Sequence, residues 1–191
     1  MPDYKSLLSI IAILIATASR IEYVYLILRR KIKPHAFSWL VWTVLTVIAF
    51  AAQVVEKGGA GSWLTGATAL ACFIIFILSF IYGERKFSLI DWLSLAGSGV
   101  ALILWWLTKD PLSAVILVSI IDVIGMIPTL IKGYKKPFED SITVFWVANI
   151  AFIMSLFALE THSLATWLYP LTIIAANTAF VVMILVRRRK A

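Results

Sequence analysis

The chain has 191 residues, 62% of them hydrophobic and only 14% charged, with a formal net charge of +7 and a single cysteine. Soluble domains run nearer roughly 45–50% apolar and about 25% charged, so this balance excludes a soluble globular domain and makes lipid the expected solvent. Cys72 alone excludes an intramolecular disulfide framework.

A membrane-crossing helix needs roughly 20 mostly apolar residues, and seven stretches qualify in chain order. The first, 7–28, carries Arg20 and Glu22 inside it. Its start resembles a signal peptide, with "ATA" at 16–18 as a small-residue cleavage site. Cleavage there would leave 19–28, too short to cross, so an uncleaved helix is expected. A loop with Arg29, Arg30, Lys31 and Lys33 follows, then the second stretch, 36–55, and the third, 62–82. The fourth, 89–107, carries Asp91 near one end and "GSG" at 97–99, small residues that let helices approach closely. It reads as a packing strut. The fifth, 112–131, holds Asp122, Gly125 and Pro128; the sixth, 141–159, holds Trp146 and Asn149; the seventh, 164–186, holds Asn177. Continuous rather than alternating apolar runs argue against strands.

The basic residues orient the bundle. With the N-terminus outside, the cytoplasmic segments hold Arg29, Arg30, Lys31, Lys33, Arg85, Lys86, Lys132, Lys135, Lys136 and the terminal Arg187, Arg188, Arg189 and Lys190. Only Lys5, Lys57 and Lys109 fall on the other side, with Arg20 inside a span. The positive-inside rule predicts this bias for seven spans. It also accounts for the net charge without nucleic acid, and "RRRK" reads as an anchor to anionic headgroups.

An internal repeat is visible in the same segments. Aligning Pro34 with Pro137 pairs Lys33 with Lys136, Ser38 with Ser141, Val41 with Val144 and Val44 with Val147. One residue out of step, Trp63-Leu64 pairs with Trp167-Leu168 and Thr68 with Thr172. Residues 1–82 and 111–191 thus read as two three-helix units, with 83–110 as a linker helix. One intervening helix makes the two units parallel, a known transporter design. The expected fold is all-α, polytopic, in a 3+1+3 arrangement.

That arrangement resembles the SWEET and PQ-loop superfamily of solute carriers, which includes nicotinamide-riboside-type vitamin transporters. "IPTLIKGYKK" at 127–136 is similar to the proline-threonine signature of a SWEET repeat and its basic loop. "WLVWTVLT" at 39–46 resembles the vitamin carriers' Trp-x-x-Trp-x-x-x-Asn motif, with Thr46 at the Asn position. The second copy has Ile142, Phe145 and Asn149 there, and Tyr25 stands where the second unit has Pro128. The resemblance implies a carrier of a small polar solute, with Trp42, Trp146 and Asn177 at its site.

The residues themselves give a candidate site. Charge inside a bilayer by default marks function, and the repeat sets Asp122 against Ser19 and Gly125 against Glu22. Asp122 and Glu22 are therefore expected on equivalent inward faces, with Arg20 as counter-charge. Three readings stay open: a structural ion pair, a site for a charged or zwitterionic solute, or a proton-coupling carboxylate raised by desolvation. Asn149 and Asn177 read either as interhelical hydrogen bonds or as solute contacts, and Trp146 shares a flank with Asn149. Trp39, Trp63, Trp105, Trp106 and Trp167 read as an interfacial belt. Proline removes a helix hydrogen bond and kinks the helix, so Pro128 with Gly125 is either a gate or a static bend.

Enzyme motifs are thin: no HExxH, paired-cysteine or phosphate-loop pattern occurs, and His35 and His162 fall in loops on opposite sides. A serine nucleophile at Gly97-Ser98-Gly99 lacks a base at its depth, and Asp91 and Asp122 differ in depth. The expectation is a seven-helix facilitator without cofactor or metal, in a bacterial inner membrane, with solute and lipid as partners and a homo-oligomer left open. A non-transporting scaffold, assembly partner or sensor is the alternative.

Overall fold

A computed structural model describes residues 3–85 and 88–190, less the side chains at positions 91, 94, 101, 102, 128 and 190. Lys86, Asp91 and the Pro128 ring, all singled out above, lie outside the described residues. The protein is all-helical, with no strand among the described residues. Its seven α-helices are α1 (Tyr4–Leu28), α2 (Ala36–Val55), α3 (Trp63–Tyr82), α4 (Leu89–Thr108), α5 (Pro111–Lys135), α6 (Thr143–Ala158) and α7 (Leu164–Lys190), with a 3-10 turn at Gly59–Ser62. They fall on the seven apolar stretches.

Five of them, α1, α2, α3 with its leading turn, α5 and α7, are long and apolar enough to cross a membrane. In α4 the apolar segment is Leu95–Thr108, and α6 has 16 residues, about 24 Å of rise against a core of roughly 30 Å. Leu159 leaves α6 in an extended conformation. Integral membrane residence follows from the five long helices.

Local chemistry sets the boundaries. Asp110 caps α5, accepting from the Leu112 and Ser113 amides at 3.1 Å each, with Pro111 in the first helical position where a missing N–H costs nothing. Those bonds, above all the one from the Ser113 hydroxyl, hold the exposed Asp110 carboxyl below its usual range. His35 caps α2 by accepting from the Ser38 amide at 3.4 Å. Gly83 ends α3 where a Cβ would stand 2.2 Å from the Pro34 carbonyl oxygen, so only glycine lets the two loops touch. The adjoining Glu84 amide and carbonyl then pair with Pro34 and Ala36.

Packing is pairwise regular. Helix α3 packs against both α1 and α2, and α7 against both α5 and α6; α1 packs on α6 and α2 on α5, while α4 lies against α5 and α2. Along α1 the buried positions Ser9, Ala12, Ala16, Ser19, Tyr23 and Ile27 recur at three- and four-residue steps, one face of a helix. The main core gathers around Tyr23, Trp39, Trp42, Leu45, Ile75, Phe145, Tyr169 and Phe180.

Pro170 lies inside α7, where it provides no N–H for the Thr166 carbonyl. That carbonyl instead accepts from Gln53 Nε2 of α2 at 2.7 Å, in a fully buried contact. In lipid a freed backbone carbonyl must find such an internal donor. The breaker in α7 is thereby turned into a cross-link between α2 and α7.

Candidate functional site

A cavity of about 60 Å³ lies in the middle of the bundle, several times the roughly 15 Å³ that one water molecule requires. Six of the seven helices line it: α1 with Arg20; α2 with Trp39, Trp42 and Thr46; α3 with Thr68 and Cys72; α5 with Asp122 and Met126; α6 with Phe145; α7 with Tyr169 and Asn177. Among the described residues, helix α4 contributes none to the lining.

Aromatic rings form one wall. Trp42 meets Trp39 edge-on at 5.1 Å and Phe145 at 6.4 Å, and Tyr23 leans on Trp39 at 5.4 Å. These spacings suit edge-to-face rings. The hydroxyls of Thr43 and Thr46 bond to carbonyls one turn back, at 2.7 and 2.6 Å, so α2 keeps little polar reach of its own.

The two ionisable side chains line the same cavity without pairing. Arg20, at least about 12 Å of helix from either end of α1, donates from Nη2 to Thr68 Oγ1 at 3.2 Å, and its enclosed Nε has no partner. Asp122, at 5% exposure on α5, makes no hydrogen bond among the described residues. No ion pair joins the two: among the described residues the ion pair is the surface Lys136–Glu139 at 3.1 Å. The structural ion pair considered above is therefore not formed. Cys72 lines the same cavity. The buried Tyr169 hydroxyl, which lines the same cavity, has no partner among the described residues either.

Hydrogen bonds tie the elements together at both ends of the bundle. Toward the basic loops, the Tyr23 hydroxyl of α1 donates to Asp140 Oδ1 of the α5–α6 loop at 3.1 Å, and the Ser141 amide donates to the same oxygen at 2.9 Å. Arg188 reaches into that loop, bonding the Pro137 and Asp140 carbonyls at 2.9 Å each, and Lys132 bonds the Lys33 carbonyl. Burial pushes the Asp140 carboxyl above its usual range, offset in part by Lys132, the Ser141 amide, the Tyr23 hydroxyl and Arg188. At the opposite end, Gln53 holds Thr166, Lys5 Nζ bonds the Leu159 carbonyl at 2.7 Å, and the Glu160 amide bonds the Gly58 carbonyl at 3.1 Å.

Of the residues expected at the site, Arg20, Trp42, Asp122 and Asn177 come together in the cavity. Glu22 does not: it is exposed on α1, because Tyr23 and Ser19 carry the buried face and one step rotates a side chain by 100°. Trp146 is 53% exposed for the same reason, its neighbour Phe145 pointing inward instead. Asn149 is buried but outside the cavity, donating to Thr178 Oγ1 at 2.9 Å between α6 and α7. Asn177 Nδ2 makes a long 3.5 Å contact with the Phe145 carbonyl. Trp39, expected in the belt, is buried and lines the cavity, whereas Trp63 and Trp106 are 45% and 69% exposed. Gly125 is buried in an α5 that runs unbroken from Pro111 to Lys135.

Thr68, Cys72, Phe145 and Tyr169 were not singled out as site residues. Thr68 and Phe145 occupy repeat-matched positions, which is the signal that would have found them. Ser98 of the "GSG" segment is buried and bonds its own Leu95 carbonyl at 2.7 Å. Among the described residues no three His, Cys, Asp or Glu side chains gather as metal ligands would.

Fold and site together define a helical integral membrane protein with an arginine and an aspartate side chain lining one cavity in its bundle without pairing. Comparison with known proteins returned no family model, no curated protein and no solved structure that matches the chain.

Proposed function

We propose that the protein is a carrier that moves a small polar solute across the membrane by alternating access. The observation that carries this is the mid-bundle cavity lined by six helices, in which Arg20 and Asp122 face one space without pairing. An ionised Arg at the centre of a span costs roughly 2.5–3.5 kcal/mol on insertion scales. A fold kept only for packing has no use for that cost.

In this proposal residues 1–82 and 111–191 are parallel three-helix units joined by the α4 linker, in the SWEET and PQ-loop manner. Support comes from the packing, in which α3 and α7 hold the same place in their units and the α1–α6 contact mirrors the α2–α5 contact. The units rock about the cavity. The Tyr23–Asp140 contact closes the end with the basic loops, taken as cytoplasmic by the positive-inside rule. The Gln53–Thr166 contact closes the other, and Gly125 and Pro128 let the basic half of α5 swing. The membrane is taken as a bacterial inner membrane, and no chemical conversion of the solute is invoked.

Cys72 is the only cysteine in the chain and lines the cavity at 4% exposure, so it reports access. In proteoliposomes, membrane-impermeant methanethiosulfonate reagents are expected to modify it from either side. A thiol that stays unmodified from both sides, yet reacts fully once the protein is denatured, would rule out a carrier and leave a scaffold.

A further inference from the structure

We propose that the solute is a small zwitterion of the amino-carboxylate class, its carboxylate held by Arg20 and its ammonium by Asp122. This rests on the carrier reading above and goes beyond it by naming the substrate class.

Arg20 has five N–H donors in a planar fork, a geometry matched to a carboxylate. Among the described residues it makes one bond to protein, that to Thr68 at 3.2 Å, and the enclosed Nε has no acceptor. Asp122 is the converse, a buried carboxyl with no donor among the described residues, and the Tyr169 hydroxyl lining the same cavity also has no partner there. Arg20 and Asp122 line the same cavity, so the two poles border one space rather than two separate pockets.

Charge balance then selects the ligand. The cavity is lined by one basic and one acidic side chain, and a buried charge without compensation is strongly unfavourable. A purely cationic solute would compensate Asp122 and leave the guanidinium bare; a purely anionic one would do the reverse. A neutral solute compensates neither by charge. A zwitterion satisfies both poles and leaves the net charge of the cavity unchanged through the transport cycle. The Trp39, Trp42 and Phe145 rings add a wall that suits either an ammonium over a ring face or an apolar side chain.

The test measures protection of Cys72 from methanethiosulfonate, each protein normalised to its own rate without ligand. Probes are alanine, leucine and phenylalanine, each as the free amino acid, the amide (cation), the N-acetyl acid (anion) and the N-acetyl amide (neutral). For wild type, a free amino acid is expected to protect at concentrations where its three derivatives do not. For Asp122→Asn, protection by the free amino acid should weaken at least about 30-fold, with the N-acetyl acid now equal or better. Arg20→Met should favour the amide in the same way. Equal protection by the neutral form, protection indifferent to either substitution, or no protection by any free amino acid would overturn the zwitterion, while water-accessible Cys72 would leave the carrier standing. A Cys72 that never reacts removes the carrier itself.

Discussion

Replacing Arg20 by methionine separates a functional charge from a structural one. A central Arg costs roughly 2.5–3.5 kcal/mol in a span, and its single bond to Thr68, at 3.2 Å, returns about 1.5–3 kcal/mol as a charge-assisted hydrogen bond. The substitution strands no buried donor, because the Thr68 hydroxyl still donates to the Leu64 carbonyl at 2.8 Å. Methionine is unbranched and fills irregular space without charge. The difference places Arg20→Met between nearly unchanged and about 2 kcal/mol more stable. On the scale of globular proteins of this size, about 2–4 °C per kcal/mol, the melting temperature should hold or rise by up to about 8 °C. Tryptophan fluorescence in detergent reads this directly. A strut paired across the bundle would instead cost about 3–5 kcal/mol on losing one partner. A drop of that size would refute the reasoning.

Gln53→Leu removes the donor that serves the Thr166 carbonyl and should destabilise by about 1–3 kcal/mol; adding Pro170→Ala restores an N–H to that carbonyl, so a double-mutant cycle should show most of the loss recovered. Asp140 is held above its usual pKa in the fold, so its contribution to stability is complete below about pH 4 and is lost as pH rises through its folded value. Asp140→Asn should flatten that part of the stability–pH curve, and an unchanged slope would contradict the assignment. Gly83→Ala sets a Cβ 2.2 Å from the Pro34 carbonyl oxygen and 2.6 Å from that of Ser79, and should cost about 1–3 kcal/mol in thermal unfolding.

Helix positions were legible because apolar length and flanking charge are local properties. Arg20 and Asp122 stood out for the same reason, as ionisable groups in apolar sequence. Rotation about the helix axis was harder to read. The repeat alignment gives which positions are equivalent, not which way they face, so Glu22 and Trp146 were each set one step from the true inward residues, Tyr23 and Phe145. Trp39 sits near a helix end, which suggested the interface, yet α2 turns it against Tyr23 and Trp42. The role of Pro170 was hidden because its remedy, Gln53 to Thr166, spans 113 residues of sequence. The Tyr23–Asp140 contact spans 117 and gave no local signal either.

Alternating access is most directly tested by distances across the two ends. In a Cys72→Ser background, spin labels at Lys31 and Glu139 report the basic end, and labels at Lys57 and Thr161 the opposite end. Pulsed electron resonance in lipid nanodiscs should give two distance populations at each end. A protecting amino acid should shift the two ends in opposite senses, one shortening as the other lengthens. Single, unchanging distances at both ends would contradict the account.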